Sequence, residues 1–394
     1  MKINKAIISA LLMAGTLQAS PAWTLEACLK QARAKSLQLE SAKLREQQAE
    51  ISVKQAKSGN RPTVSASIQN TLYDHPFVHD GDHYRLNVGL NASYTLWDGG
   101  STGLSVEQSE LSSRATKEAT KATERSIQES VLNAFINLLA AKENLKTANA
   151  SVELANAEFE HYGKLYEAGS ITKKDLTQSQ ANVMQKQVSL LNAQLEVNTA
   201  STTLKQLLEL PADDSLEISS PEENLDSPDS LEAIPSLAEI KQEATSKNPT
   251  LKSDSISVQA AKKGIEVAGK GSSITVTLGA SSSTGLQGFE SGHYGGQVKD
   301  GWQNSVTLGI NIPIIDGGTT QNKILQAQVS EAESHVSMQE DAKNLENNIE
   351  KLYLNALSAD LQWKAALLQV EAETEALAVA EEQRARAYSP TPTT

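Results

Sequence analysis

The chain has 394 residues, 39% of them hydrophobic and only 4% aromatic, with a formal net charge of −13 and a single cysteine. So few aromatics argue against a compact enzyme core and for long Ala-rich helices that bury small residues along a seam. The acidic balance excludes a basic nucleic-acid surface, and one cysteine, Cys28, excludes an internal disulfide framework and a Cys-based zinc site.

Residues 1–22 read as an export signal: Lys2 and Lys5, the apolar stretch Ala6 to Leu17, and small Ser20 and Ala22 before an expected mature start at Trp23. Leu25-Glu26-Ala27-Cys28 has a faint likeness to a lipoprotein box, but Glu26 is charged, so Cys28 is read as a helix residue. No other uninterrupted apolar run reaches the ~18 residues of a membrane helix, so a membrane role would use β-strands.

From Thr24, TLEACLKQARAKSLQL predicts a helix, and it recurs from Ser236 as SLAEIKQEATSKNPTL at an offset of 212. Residues 64–72 then alternate, Val64, Ala66, Ile68 and Leu72 against Ser65, Ser67, Gln69 and Thr71, and residues 86–96 do likewise. A period of two gives one apolar and one polar face, and about 9–11 residues cross a bilayer in a tilted barrel. Half of the aromatics, Tyr73, Tyr84, Tyr94 and Trp97 among them, lie in or beside the predicted strands, as interfacial girdles do. Between the first two strands, His75, His79 and His83 are evenly spaced; Pro76 and Gly81 oppose the helix that would align them, so a loop tip without a metal is predicted.

Asp98-Gly99-Gly100 closes the second strand. It recurs as Asp316-Gly317-Gly318 after LGINIPII, at an offset of 218 from the first copy, which points to turn chemistry at a strand-to-helix junction and not to acid catalysis. Next comes a heptad register from Ile127 through Val131, Ala134, Leu138, Ala141 and Leu145 to Phe159, Tyr162 and Tyr166. Its alternating spacings of four and three define a coiled-coil seam. A turn at Glu167 to Ser170 leads to a return helix with Leu176, Met184, Val188, Leu191 and Leu195 on one expected apolar face, ending before Pro211.

The organisation expected is a signal peptide (1–22), a first repeat (23–210), an acidic linker or equatorial segment (211–235) and a second repeat (236–394). The second repeat carries its own strands, with Ile274, Val276, Leu278 and Ala280 on one and Val306 to Ile314 on the other, and a last long helix from about Thr319. Gly264-x4-Gly269-Lys270-Gly271 falls short of a phosphate-binding loop, since Gly271 replaces the Ser or Thr that would hold magnesium and a strand comes next. No cofactor site and no catalytic constellation presents itself.

Four strands per chain are too few to close a barrel, and open edges are costly in lipid, so other copies must complete the sheet. Together, the duplicated YTLWDGG and IPIIDGG and the helical turn resemble the TolC family of outer-membrane efflux proteins. The family's turn pattern, Arg-x3-Leu-x3-Gly-x2-Ser-x2-Asp-Leu, reads here as His161, Leu165, Gly169, Thr172, Asp175 and Leu176, with His161 for Arg and Thr172 for Ser. The resemblance implies a membrane α+β fold: a homotrimer with a 12-stranded outer-membrane β-barrel, four strands per chain, continuing into an α-helical coiled-coil periplasmic tunnel. It implies a passive duct in the outer membrane of a Gram-negative-type cell, in contact with its lipid and with no nucleic acid. It also implies docking, at 161–176, on a periplasmic adaptor (membrane fusion) protein served by an inner-membrane pump or ABC transporter. A trimeric coiled-coil adhesive stalk with a barrel anchor is the competing reading; it would group its strands at one chain end. By the 218 offset Tyr388 falls opposite Ser170, so these 394 residues are expected to lack the second return helix, a C-terminal truncation relative to the family.

Overall fold

The computed structural model describes residues 23–72, 84–219, 234–288 and 294–388. The expected signal peptide, the loop expected at His75–His83 and most of the expected acidic linker lie outside them. In chain order come α1 (Leu25–Lys35), α2 (Leu37–Ser58), β1 (Thr63–Leu72), β2 (Tyr84–Trp97), α3 (Ser101–Glu167) and α4 (Lys173–Leu207). The second repeat supplies α5 (Leu237–Lys247), α6 (Pro249–Ala268), β3 (Thr275–Gln287), α7 (Tyr294–Asp300), β4 (Gln303–Asn311) and α8 (Thr319–Tyr388). The helix expected at the start of each repeat is two helices, broken at Ser36 and, 212 residues on, at Asn248. Each breaker caps the helix after it: Ser36 Oγ accepts from the Leu39 N–H and Asn248 Oδ1 from those of Thr250 and Leu251, with Pro249 at the first helical position.

The chain packs as two compact units, one within residues 1–42 and 123–230, the other within 43–122 and 231–394. In the first, Thr24 Oγ1 caps α1 by accepting from the Ala27 N–H. Cys28, Ala32 and Leu39 meet Ile127, Val131, Phe135 and Leu138 of α3, Leu204 and Leu208 at the end of α4, and Leu216 and Ile218. Ile218 bridges to Trp23 in parallel. Burial pushes the Cys28 thiol up to about 11, so it stays a neutral packing group. The expected seam of α3 is buried at Ile127, Val131, Ala134, Leu138, Ala141 and Ala155, but exposed at Tyr162 and Tyr166. The expected face of α4 is not the one it packs: Val183 and Leu204 turn inward, while Met184, Val188, Leu191 and Leu195 are each more than half exposed. Two apolar stripes run along α4, and hydropathy alone does not say which faces the partner helix.

The second unit holds one antiparallel sheet in the order β1-β2-β3-β4. Ser253 Oγ of α6 donates to the Ala115 carbonyl of α3 at 3.0 Å. Where α6 meets α8, Asp254 lies beside Asp341; Asp254 Oδ2 is sealed from solvent, and burial first, then the Asp341 charge, push its carboxyl above the usual range. β4 stops at Asn311, short of the expected Ile314, and the segment between β3 and β4 contains the short α7.

Candidate functional site

The strand register sorts the sheet into two chemistries. Ser65 lies opposite Asn91, Asn91 opposite Ser281, and Ser281 opposite Ser305. One face therefore carries Ser65, Ser67, Gln69, Asn87, Asn91, Thr277, Ser281 and Asn311, with hydroxyls such as those of Ser281 and Ser305 bonded across strands at 2.7 Å. The other face carries Val64, Ile68, Val88, Leu90, Leu278, Val306, Leu308 and Ile310, all exposed. Polar residues interrupt it only at Asn70, Ser282, Thr284 and Asn304. A register shift between Thr95 and Trp97 sets Trp97 opposite Val276, which returns this aromatic to the apolar face. Alternation alone would have put it on the polar one.

Both Asp-Gly-Gly turns are built alike. Asp98 Oδ1 accepts from the Gly100 N–H at 3.0 Å and Oδ2 from the Thr102 N–H at 2.6 Å and the Thr102 hydroxyl. Asp316 Oδ1 accepts from Gly318 at 3.0 Å and Oδ2 from Thr320 at 2.8 Å. Gly99 and Gly100 have φ of 68° and 84°, Gly317 and Gly318 of 63° and 82°, the left-handed region where a side chain is strained. Burial opposes ionisation of Asp98, but the Thr102 hydroxyl and the N–H groups outweigh it and hold the carboxyl below the usual range. The Thr320 hydroxyl, with the Thr320 and Gly318 N–H groups, does the same for Asp316. Each carboxylate thus caps the first turn of a very long helix.

The α3–α4 turn obeys the same logic. Gly169 has φ 71° and ends α3: its N–H donates to the Tyr166 carbonyl at 2.9 Å and that of Ser170 to the Leu165 carbonyl at 2.8 Å. Thr172 starts α4 with a capping box, its Oγ1 accepting from the Asp175 N–H at 3.3 Å while Asp175 Oδ2 accepts from the Thr172 N–H at 2.9 Å. The Thr172 hydroxyl and N–H hold the Asp175 carboxyl below the usual range. Three of the six expected residues, Gly169, Thr172 and Asp175, therefore build the turn. His161 is exposed and edge-on to Tyr162, and Leu165 and Leu176 are half-buried. Beside them opens a cleft of about 510 Å³ lined by Glu158, Tyr162, Asp175, Gln178, Asn182 and Gln185. Only Tyr162 and Asp175 of these stand out in the sequence. The others are polar, so a search for apolar periodicity passes over them, although 178, 182 and 185 are helically spaced.

The family model for outer membrane efflux proteins matches residues 28–209 and 240–386. The chain is 25% identical over 393 residues to the outer membrane efflux protein BepC of Brucella suis biovar 1 (strain 1330), covering 96% of this chain and 78% of that one. It is 25% identical over 198 residues to the outer membrane protein TolC of Salmonella enteritidis, covering 46% of this chain and 40% of that one. The crystal structure of the open state of the Neisseria gonorrhoeae MtrE outer membrane channel has a TM-score of 0.74 at 18% identity, covering 93% of this chain and 80% of that one.

Proposed function

Because the chain belongs to the outer membrane efflux protein family, we propose that it is the outer-membrane exit duct of a tripartite efflux or type I secretion system. Small molecules or proteins pass through it without any chemistry of its own. The observation that carries this reading is the sheet: hairpins from the two repeats form one layer, apolar on one face and polar on the other, with β1 and β4 at its edges. Four strands cannot close on themselves, and lipid does not tolerate open edges. Three copies make twelve strands, an even number suited to an outer-membrane barrel. The apolar face then meets lipid, and Ser65, Asn91, Thr277 and Asn311 line the lumen. A stalk anchored at one chain end has no need of hairpins from two separate repeats, so the sheet favours the duct.

The helices form the periplasmic tunnel in this reading. The exposed stripe from Met184 to Leu195 supports it, as does that of Leu354, Leu361 and Leu368 on α8, because both are apolar faces of the kind that pack helix against helix. His161, Leu165, Gly169, Thr172, Asp175 and Leu176 form the docking surface for the periplasmic adaptor, which the inner-membrane pump or ABC transporter serves. Expression in a Gram-negative cell deprived of its own duct, beside a compatible adaptor and pump, tests the reading. The protein should fractionate with the outer membrane, extract as a particle of three copies, restore dye efflux, and crosslink to the adaptor from a photoreactive residue at position 161. Fractionation elsewhere, or export unchanged from the empty strain, overturns it.

A further inference from the structure

The repeat extends to strand register, and that has a consequence at the open edges. Thr63 pairs with Ser93 in the first hairpin and Thr275 with Asn311 in the second, the same pair moved by the offsets of 212 and 218. Between hairpins, Ser93 of β2 pairs with Gly279 of β3. Moved by the same offsets, this pair is Asn311 of β4 with Ser67 of a second β1. From this we infer that β4 of one copy pairs antiparallel with β1 of the neighbouring copy with Asn311 opposite Ser67. Gly309 then lies opposite Gln69 and Thr307 opposite Thr71 on the polar face, and Ile310 opposite Ile68 on the apolar face. The inference rests on the trimeric reading above.

Two independent features of the chain fit this register. β2 has 14 residues and β4 only nine. The last residues of β2, Tyr94 to Trp97, lie beyond the end of β1 at the Thr63–Ser93 pair and are held by β3 alone. Their counterparts, residues 312–315, have no β3-like neighbour among the described residues. They leave the strand and expose Ile312, Ile314 and Ile315 by 59%, 90% and 89%, against 48% and 58% for Leu96 and Trp97. In the inferred register the neighbour's Ala66 meets Ile312 and its Val64 meets Ile315. Pro313, which has no N–H to give, takes the place of Thr95, next to the bulge, where proline is accepted.

The junction turns differ in the same sense. A Cβ on Gly99 would lie 2.3 Å from Ser273 Cβ, whereas one on Gly317 would meet nothing within 4 Å. Asp98, Gly99 and Gly100 are half-buried; Asp316, Gly317 and Gly318 are exposed. The counterpart of Ser273 is Arg61, so the neighbouring copy brings its Arg61 segment, and a positive charge, to the turn that carries Asp316. The occupant is thus a second copy of this chain, because only β1 and the segment before it reproduce what β3 and Ser273 do for the first junction.

Disulfide trapping in the full chain in the outer membrane tests the register. Opposed residues have Cα atoms about 4.5–5.5 Å apart, within the ~4.4–6.8 Å a disulfide spans. Residues displaced by two are about 7–8 Å apart and out of reach. The Ser67→Cys/Asn311→Cys variant should give covalent dimers and trimers on oxidation. Ser67→Cys/Gly309→Cys and Ser67→Cys/Thr307→Cys should give no more than the single-cysteine variants, in which Cys28 stays buried and inert. Trapping by either displaced pair, or no trapping by any pair in a particle that has the mass of three copies, overturns the register and leaves the trimer standing. No trapping in a particle of one-copy mass overturns the trimer itself.

Discussion

Two glycines near the α3–α4 turn should respond to the same substitution in opposite senses. Gly163 lies inside α3 and Gly169 ends it with φ 71°; a Cβ on either would meet nothing within 4 Å. Packing therefore drops out, and the backbone decides. At position 163, Ala is favoured over Gly by about 0.8–1 kcal/mol in a helix interior. At position 169 an L-residue in the left-handed region costs about 1–2 kcal/mol, only partly offset by the ~0.4–1 kcal/mol that Ala saves in unfolded-chain entropy. The two variants should thus differ by roughly 1–2.5 kcal/mol in local opening, on the scale where 1.4 kcal/mol is tenfold. Hydrogen exchange of the Ser170 amide, bonded to the Leu165 carbonyl at 2.8 Å, reads this directly in the detergent-solubilised protein. Gly163→Ala should slow its exchange, Gly169→Ala should hasten it, and Gly169→Asn should fall between wild type and Ala, because Asn tolerates this conformation better. Equal effects from both alanines would refute the backbone argument and point to a packed neighbour at the turn.

Glu209 occupies the left-handed position after α4, φ 53°, where the Leu210 N–H returns to the Lys205 carbonyl at 3.0 Å; Glu209→Gly should stabilise the first unit by ~0.5–1 kcal/mol, read by denaturant unfolding with an unchanged m-value. Asp254→Asn should raise the thermal midpoint at pH 7. A carboxyl raised above its ordinary value weakens the native state as pH climbs through that raised value, so the advantage of Asn should vanish as pH falls below the ordinary value of 3.8. A gain that persists in acid would rule out the charge argument.

Where local chemistry decides, the sequence is explicit. Gly169, Thr172 and Asp175 are readable as end, cap and box because each satisfies backbone groups within six residues of itself. The Asp-Gly-Gly turns are readable because they occur twice. Ser36 does not announce a break: serine is tolerated in a helix, and only its repeat partner Asn248, with Pro249 after it, marks the boundary plainly. The inward face of α4 is ambiguous because Met184, Val188, Leu191 and Leu195 are as apolar as Val183, Val197 and Leu204, and the choice between stripes is made by tertiary packing. β4 ends early for a related reason: alternation continues to Ile314, but a strand needs a partner as well as a pattern.

The low aromatic content has a physical meaning once burial is compared between the two units. The largest fully buried side chains, Leu138, Leu204, Leu208, Val131 and Cys28, all belong to the first unit. Among the described residues, the buried hydrophobics of the second are Ala115, Ala260 and Ile349, while its sheet exposes Val64, Ile68, Val306, Leu308 and Ile310. Burial of a Leu or Ile side chain is worth about 1.5–3 kcal/mol, so the first unit draws its stability from within one chain. The second has few such terms of its own, and in the proposed trimeric barrel its apolar surface is covered by lipid and neighbouring copies. In that proposed assembly lipid and neighbours bind the folded sheet and not the unfolded chain, which would stabilise that unit by mass action. On that proposal, folding of the sheet is coupled to insertion and assembly, whereas the first unit, with its buried core, does not need either to form.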